Sequence, residues 1–363
     1  MEFVPTPFRK RDGAGLPLVT PVKRANTAAA RPVNVSPQDF DKGSVARSLQ
    51  GYSLVAIGAL STAQIAEVLK TAARMRELVE KQGGDESLKG RVLASVFYEP
   101  STRTSCSFQA AMLRLGGAVL AVNESSSSVA KGESLEDTVR SVECYADVVV
   151  LRHPRAGAAA EAAAAMAKPL LNAGDGVGEH PSQALLDLYT ILDEVPGVSA
   201  SEAAKSEAAL AAALRGRVVT MVGDLKNGRT VHSLAKLLSR FEVTLHFVSP
   251  AALRMPGSVT ATVRGREHDA LTTSILRDTD ILYVTRVQKE RFDSVDDYDK
   301  VKDAFVITPE TLSHMKTTAR VMHPLPRVGE IDAACDADPR AAYFRQMKNG
   351  MYVRMALLRL TVG

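Results

Sequence analysis

The chain has 363 residues, of which 45% are hydrophobic and 24% charged, and a formal net charge of +4. That length suits about two domains with ordinary apolar cores. The small, dispersed positive surplus does not argue for nucleic acid but suits anionic small molecules, and no apolar run reaches the roughly 18 residues that span a membrane.

The first 43 residues carry Pro5, Pro7, Pro17, Pro21, Pro32 and Pro37 beside Arg9-Lys10-Arg11 and Lys23-Arg24, without apolar periodicity. They read as a disordered arm or interdomain linker. There is no h-region for a secretory signal, and six prolines fit an amphipathic transit helix poorly. From Ser61 helices and strands alternate. Ser61 and Gln64 form a capping box, and Ile65, Leu69, Ala72, Met75 and Val79 make an apolar stripe. Strands are predicted at 91–97, 118–122, 147–151 and 169–172, with helices near 102–115, 134–146 and 156–167. A long helix over Pro181 to Glu194 and an Ala-rich stretch, Ser199 to Leu214, follow. A second series has strands near 217–223, 243–248, 280–285 and 319–323, and helices near 230–240, 271–277 and 309–315. The stretch from Ala341 to Leu360 is helical in period despite Gly350. Two βαβ series predict an α/β protein of two domains, each a parallel sheet covered by helices.

The stretch from Phe97 to Gln109 reads Phe-Tyr-Glu-Pro-Ser-Thr-Arg-Thr-Ser-Cys-Ser-Phe-Gln. A β-rich run stops at Pro100 and helical spacing begins at once, so Ser101, Thr102, Arg103 and Thr104 sit at a strand-to-helix junction. Free N–H groups, hydroxyls, a guanidinium and a helix dipole make an anion site suited to phosphate. Ordinary capping needs fewer donors, and no Walker loop is present. Other polar groups also follow predicted strands: Arg152, His180, the run Asp224 to Thr230, Arg286, and the run His323 to Arg327. In open α/β sheets ligands bind at those strand ends, which places one site between two domains. An Arg at a helix start, as at 229, opposes the helix dipole, and that cost points to purpose. The run Gly174-Asp-Gly-Val-Gly178 has the start of a dinucleotide loop but not its third glycine spacing. His153 and His232 read as structural, and the scattered histidines offer no metal set, so neither metal nor cofactor is expected. Cys106, Cys144 and Cys335 are sparse and unpaired in pattern, which suits reduced thiols and a cytoplasmic location. Cys106 has no local base to make it a nucleophile.

Ser-Thr-Arg-Thr after a strand, Leu151-Arg-His-Pro154, His180-Pro-Ser-Gln183, Asp224 to Thr230, Arg286-Val-Gln288 and His323-Pro-Leu-Pro-Arg327 occur in that order. Together they resemble the transcarbamoylase family, in particular aspartate transcarbamoylases. More narrowly, the chain from about Ser44 onward looks like the aspartate transcarbamoylase domain of eukaryotic multifunctional pyrimidine-biosynthesis proteins. The resemblance implies a carbamoyl-phosphate domain over 44–184, an aspartate domain over 185–338, and a C-terminal helix, 339–363, that returns to the first domain. It implies transfer of the carbamoyl group of carbamoyl phosphate to L-aspartate. Ser101, Thr102, Arg103 and Thr104 would bind phosphate. Arg152 would lie between phosphate and carbonyl oxygen, and His180 and Thr104 would polarise the carbonyl. Gln183 and the Leu325 and Pro326 carbonyls would hold the carbamoyl NH2. Arg229, Arg286 and Gln288 would hold the aspartate carboxylates, where bidentate guanidinium forks fit. Glu99 would pair with Arg229 and Arg291 on domain closure. Ser127 and Lys131 match loop residues that serve a neighbouring subunit's site, with Lys131 also near aspartate, and imply a homotrimer. Two alternatives stand: ornithine transcarbamoylase, which needs an anionic partner for a side-chain ammonium and typically shows His-Cys-Leu-Pro, and a catalytically silent scaffold domain.

Overall fold

The computed structural model describes residues 48–123, 132–292, 294–301 and 304–363. Residues 1–43, Ser127 and Lys131 lie outside them. The first lobe starts from α1 (Thr62–Gln82), where Ser61 accepts from the Gln64 amide and Gln64 reaches back to the Ser61 amide. There follow β1 (Val92–Phe97), α2 (Thr102–Arg114), β2 (Ala118–Asn123), α3 (Leu135–Glu143), β3 (Val148–His153), α4 (Ala158–Ala165), β4 (Leu170–Asp175) and α5 (Pro181–Glu194). The strands form a parallel sheet in the order β2-β1-β3-β4. Two short helices, α6 (Ala200–Ala203) and α7 (Glu207–Leu214), occupy the Ala-rich stretch.

The second lobe runs β5 (Val218–Val222), α8 (Arg229–Leu238), β6 (Thr244–Val248), α9 (Gly257–Thr260), β7 (Arg266–His268), α10 (Thr273–Asp278), β8 (Ile281–Val284), α11 (Val295–Asp299), α12 (Pro309–Ser313) and β9 (Arg320–Met322). Its parallel sheet has the order β7-β6-β5-β8-β9. The edge strand β7 was not expected from sequence, since Arg266, Glu267 and His268 carry no apolar alternation.

Both sheets are covered on two faces, as the apolar runs require. Val148 and Val150 of β3 face a central core, whereas Val149 and Leu151 face a separate cluster under α3 and α4. In β8, Ile281 and Tyr283 join the central core and Leu282 and Val284 a cluster near α10 and α12. The central core is continuous between the lobes, because α5 packs on β4 and on α8. The last helix, α13 (Tyr343–Val362), leaves the second lobe and lies on α1, α2 and α5. Gly350 makes that seat: a Cβ there would meet Leu186 Cδ2 at 3.0 Å, so the missing side chain lets α13 approach α5.

Candidate active site

The strand ends of both lobes converge on one cleft. On the first lobe, α2 starts at Ser101, whose side chain makes no cap bond, unlike Ser61, Ser134 and Ser206 at other helix starts. The hydroxyl and the first amides of α2 are thus uncommitted within the helix, and Thr104 is buried while Thr102 is exposed. Arg103 has its pKa lowered by burial and then by the charge of Arg286, which brings the first-lobe loop and the end of β8 into one electrostatic site.

Glu99, in the turn after β1, is the hub. Its Oε2 accepts from Arg229 Nη1 and Nη2 at 3.3 Å each. Arg152 Nε lies 3.2 Å from the same oxygen, in ion contact but without hydrogen-bond alignment. Arg291 Nη2 is 3.9 Å from Oε1. Burial and then the charge of Arg229 push Arg152 down to about 10, against the pull of Glu99. The contact of Glu99 with Arg229 crosses between the lobes. So does a second bond from Arg229 Nη1 to the Gly176 carbonyl at 2.8 Å. A Cβ at Gly174, whose φ is +115°, would fall 2.8 Å from Arg229 Nε. The glycine run that resembled a dinucleotide loop therefore makes room for a guanidinium.

His180 opens α5 with Pro181 behind it, and it is 3% exposed. Its amide donates to Ser233 Oγ on α8 at 3.0 Å, and Ser233 Oγ donates to Glu179. Burial first, then Arg229, Arg354 and Arg152, hold its pKa well below the usual histidine range. The ring is neutral at physiological pH, so it can donate one N–H to an oxygen without carrying charge. Gln183, one turn along, is 5% exposed.

The segment after β9 is held from inside. Leu325 N–H donates to His323 Nδ1 at 2.7 Å, which leaves Nε2 to donate to Glu330 at 2.6 Å. Glu330 also accepts from the Val328 and Gly329 amides at 3.0 Å each, and it sits at about 2 because those donors outweigh its burial. Leu325 has φ +52°, the single positive-φ residue other than glycine among the described residues. Gln288 N–H reaches buried Asp224 at 3.4 Å, and Asp224 also accepts from the Asn227 amide at 2.9 Å. The structure thus brings Glu99, Arg103, Arg152, His180, Arg229, Arg286 and Arg291 together around the cleft. Among the described residues no group of three or more His, Cys, Asp or Glu side chains is placed to hold a metal ion.

Sequence reasoning missed Asp187. It is wholly buried, accepts from three side chains, and is pushed by burial to about 7. A lone Asp among Leu185, Leu186, Leu188 and Tyr189 was the available signal, because an isolated acid in an apolar run needs partners.

Two parallel-sheet lobes of an α/β protein thus send guanidiniums into one cleft. Residues 53–193 match the aspartate/ornithine carbamoyltransferase carbamoyl-phosphate binding domain, and 215–361 match the aspartate/ornithine binding domain. The chain belongs to the aspartate/ornithine carbamoyltransferase family. It is 50% identical over 320 residues to the multifunctional protein pyr1-3 of Dictyostelium discoideum, covering 87% of this chain but only 14% of that protein. It is 43% identical to the aspartate carbamoyltransferase catalytic subunit of Thermoplasma volcanium, covering 87% of this chain and 99% of the relative. Aspartate transcarbamoylase from Trypanosoma cruzi, solved with carbamoyl phosphate and aspartate, superposes with a TM-score of 0.78 at 40% identity, covering 87% of this chain and 98% of that one.

Proposed function

We propose that the chain transfers the carbamoyl group of carbamoyl phosphate to the amine of L-aspartate, giving N-carbamoyl-L-aspartate and phosphate, a step of pyrimidine biosynthesis. The observation that carries this reading is the convergence of guanidiniums from both lobes: Arg152, Arg229 and Arg291 on Glu99, with Arg103 and Arg286 near enough to act on each other's charge. Guanidiniums so gathered suit a phosphate dianion and a dicarboxylate, which each accept paired, charge-assisted hydrogen bonds. An ornithine ammonium would meet repulsion there.

In this reading Ser101, Thr102, Arg103 and Thr104 bind phosphate at the start of α2. Arg152 bridges phosphate and carbonyl oxygen and stabilises the leaving group. His180 donates its neutral N–H to the carbonyl oxygen beside Thr104, a role worth about 10²–10³ in rate per donor. Gln183 and the Leu325 and Pro326 carbonyls hold the carbamoyl NH2, and Arg229, Arg286 and Gln288 hold the aspartate carboxylates. The aspartate amine attacks the carbonyl carbon. The C–O bond to phosphate breaks with its electron pair, and the phosphate takes the amine proton. Glu99 with Arg229 and Arg291 fixes the lobes in the closed relation.

We assign 44–184 to carbamoyl phosphate, 185–338 to aspartate and 339–363 to the returning helix. We also propose a homotrimer in which Ser127 and Lys131 of one subunit complete the next subunit's site. Identity to one stretch of pyr1-3 supports placement within a larger pyrimidine-pathway polypeptide. No helix among the described residues is long and apolar enough to cross a membrane. The free thiols of Cys106, Cys144 and Cys335 support a cytoplasmic setting. The test is an assay of carbamoyl transfer with aspartate and with ornithine as acceptors. Product from aspartate is expected, and faster turnover of ornithine overturns the reading.

A further inference from the structure

Two groups from different parts of the fold would read the carbamoyl nitrogen: the Gln183 side chain on α5 and the Leu325–Pro326 segment after β9. Both are tied to one buried carboxylate. Asp187 Oδ1 accepts from Gln183 Nε2 at 2.9 Å and from Gln346 Nε2 on α13 at 2.6 Å. Its Oδ2 accepts from the Tyr283 hydroxyl on β8 at 2.7 Å. Gln346 then uses its oxygen to accept from the His323 amide at 2.9 Å, and His323 Nδ1 accepts from the Leu325 amide. Asp187, Tyr283 and Gln346 are each 0% exposed.

Asp187 Oδ1 accepts from both glutamines whether the carboxyl is ionised or carries its proton on Oδ2, so it fixes which way each amide is turned. Gln183 must offer its nitrogen to Asp187, which leaves its oxygen as the end able to receive a donor. A carbamoyl NH2 is such a donor, and the methyl group of acetyl phosphate is not. We propose that Asp187 is a positioning residue that sets the carbamoyl-nitrogen site, by orienting Gln183 directly and the Leu325–Pro326 segment through Gln346 and His323. This rests on the carbamoyl transfer proposed above.

The surroundings agree. Arg354 on α13 is close enough to favour the ionised form of Asp187, against the burial that raises its pKa. Arg354 is itself pushed down to about 9 by burial, and its Nη1 donates to Ser107 on α2. A role confined to packing does not need a carboxylate: an apolar side chain would fill the same place among Leu185, Leu186 and Leu188 without the cost of a buried charge. Orientation of two amides does need an acceptor there.

The experiment compares three ligands on the full chain: carbamoyl phosphate, acetyl phosphate and inorganic phosphate, with dissociation constants from competition or calorimetry. Asp187→Ala is expected to weaken carbamoyl phosphate at least about tenfold, because two hydrogen bonds to its nitrogen lose their alignment. Acetyl phosphate and inorganic phosphate should shift less than about twofold, since phosphate contacts at the start of α2 are untouched. Asp187→Asn is expected to restore the preference, because its oxygen can serve both glutamines while its NH2 donates to the Tyr283 oxygen. Equal weakening of all three ligands, or an Asn variant as poor as Ala, overturns the proposal in favour of a packing role. If the Ala protein does not fold, Gln346→Met decides. It removes the Gln346 bonds to Asp187 and to His323 but leaves Asp187 on Gln183, so it should give a partial loss of the carbamoyl-over-acetyl preference, and an unchanged preference refutes the idea. Wild-type turnover with aspartate, measured alongside, tests the reaction separately.

Discussion

In the proposed reading each half of the cleft holds an anion, and the two halves are built of different materials. In the first lobe the donors belong to a helix start. Ser101, Arg103 and Thr104 are fixed by α2, which packs beneath α13 and against β1. In the second lobe the donors are long guanidinium side chains on connecting segments, and Arg229 gains its setting from the opposite lobe, through Glu99 and the Gly176 carbonyl. A site built on backbone and helix dipole exists before the lobes meet. A site whose arginine depends on a contact across the cleft exists fully only when they do. Carbamoyl phosphate should therefore bind first and aspartate second.

The comparison breaks most visibly at Arg103. Arg103→Ala should lower turnover by about 10²–10³, as for a lost transition-state donor. If Lys131 serves the neighbouring subunit, Lys131→Ala should be nearly as damaging, yet co-refolding the two inactive proteins one to one should return about a quarter of wild-type activity in a closed ring of three. No recovery after proven subunit exchange would mean that each chain completes its own site.

Glu99→Ala tests the cross-lobe half. It leaves Arg152 and Arg229 without their shared carboxylate and removes one tie between lobes, while the Arg229 bond to the Gly176 carbonyl stays. Aspartate affinity and rate should fall by about 30–100-fold, the low end of the cost of truncating one partner of a hydrogen-bonded charge pair, while carbamoyl phosphate binding stays nearly constant. Loss of both affinities in equal measure would refute the division of labour. Arg286→Ala should cost aspartate binding or turnover about 1.5–3 kcal/mol, the worth of a charged hydrogen-bonded contact. Inhibition by inorganic phosphate should scarcely move, and a matching loss there would place Arg286 on the phosphate instead.

The same division explains what could be read from the sequence. The first-lobe site is local: Pro100, Ser101 and Arg103 are neighbours in the chain, and a strand stop followed by helical spacing reveals them. The central strands of both sheets were legible too, because β3 and β8 contain continuous apolar runs that are buried. What escaped depends on tertiary partners. Edge strand β7 exists because Phe247 and Val248 offer a register to Glu267 and His268, and nothing apolar marks it. Gly174 reads as a loop glycine until Arg229 is found where its Cβ would be. Asp187 gathers Gln183, Tyr283 and Gln346 from three elements, and no spacing along the chain predicts that meeting.

The smallest expected effect concerns His180, where cations of both lobes act on one ring. Burial and the charges of Arg229, Arg354 and Arg152 all disfavour the imidazolium. In NMR spectra of histidine-labelled protein, the His180 signals should keep neutral-ring shifts from pH 8 down past the usual histidine pKa of about 6.5. An unfolded chain takes up a proton there and the folded one does not. Stability should thus be full above about pH 6.5 and decline as pH falls below it, by up to about 1.4 kcal/mol per unit from this residue. His180→Asn should flatten that part of the curve. Arg229→Ala removes one second-lobe cation, so it should raise the His180 pKa modestly while burial keeps it low. A His180 that titrates near 6.5 in the wild type would contradict the neutral N–H donor on which carbonyl polarisation rests. A pKa unmoved by Arg229→Ala would mean that the second lobe does not reach the ring, and that the cleft is electrostatically two sites rather than one.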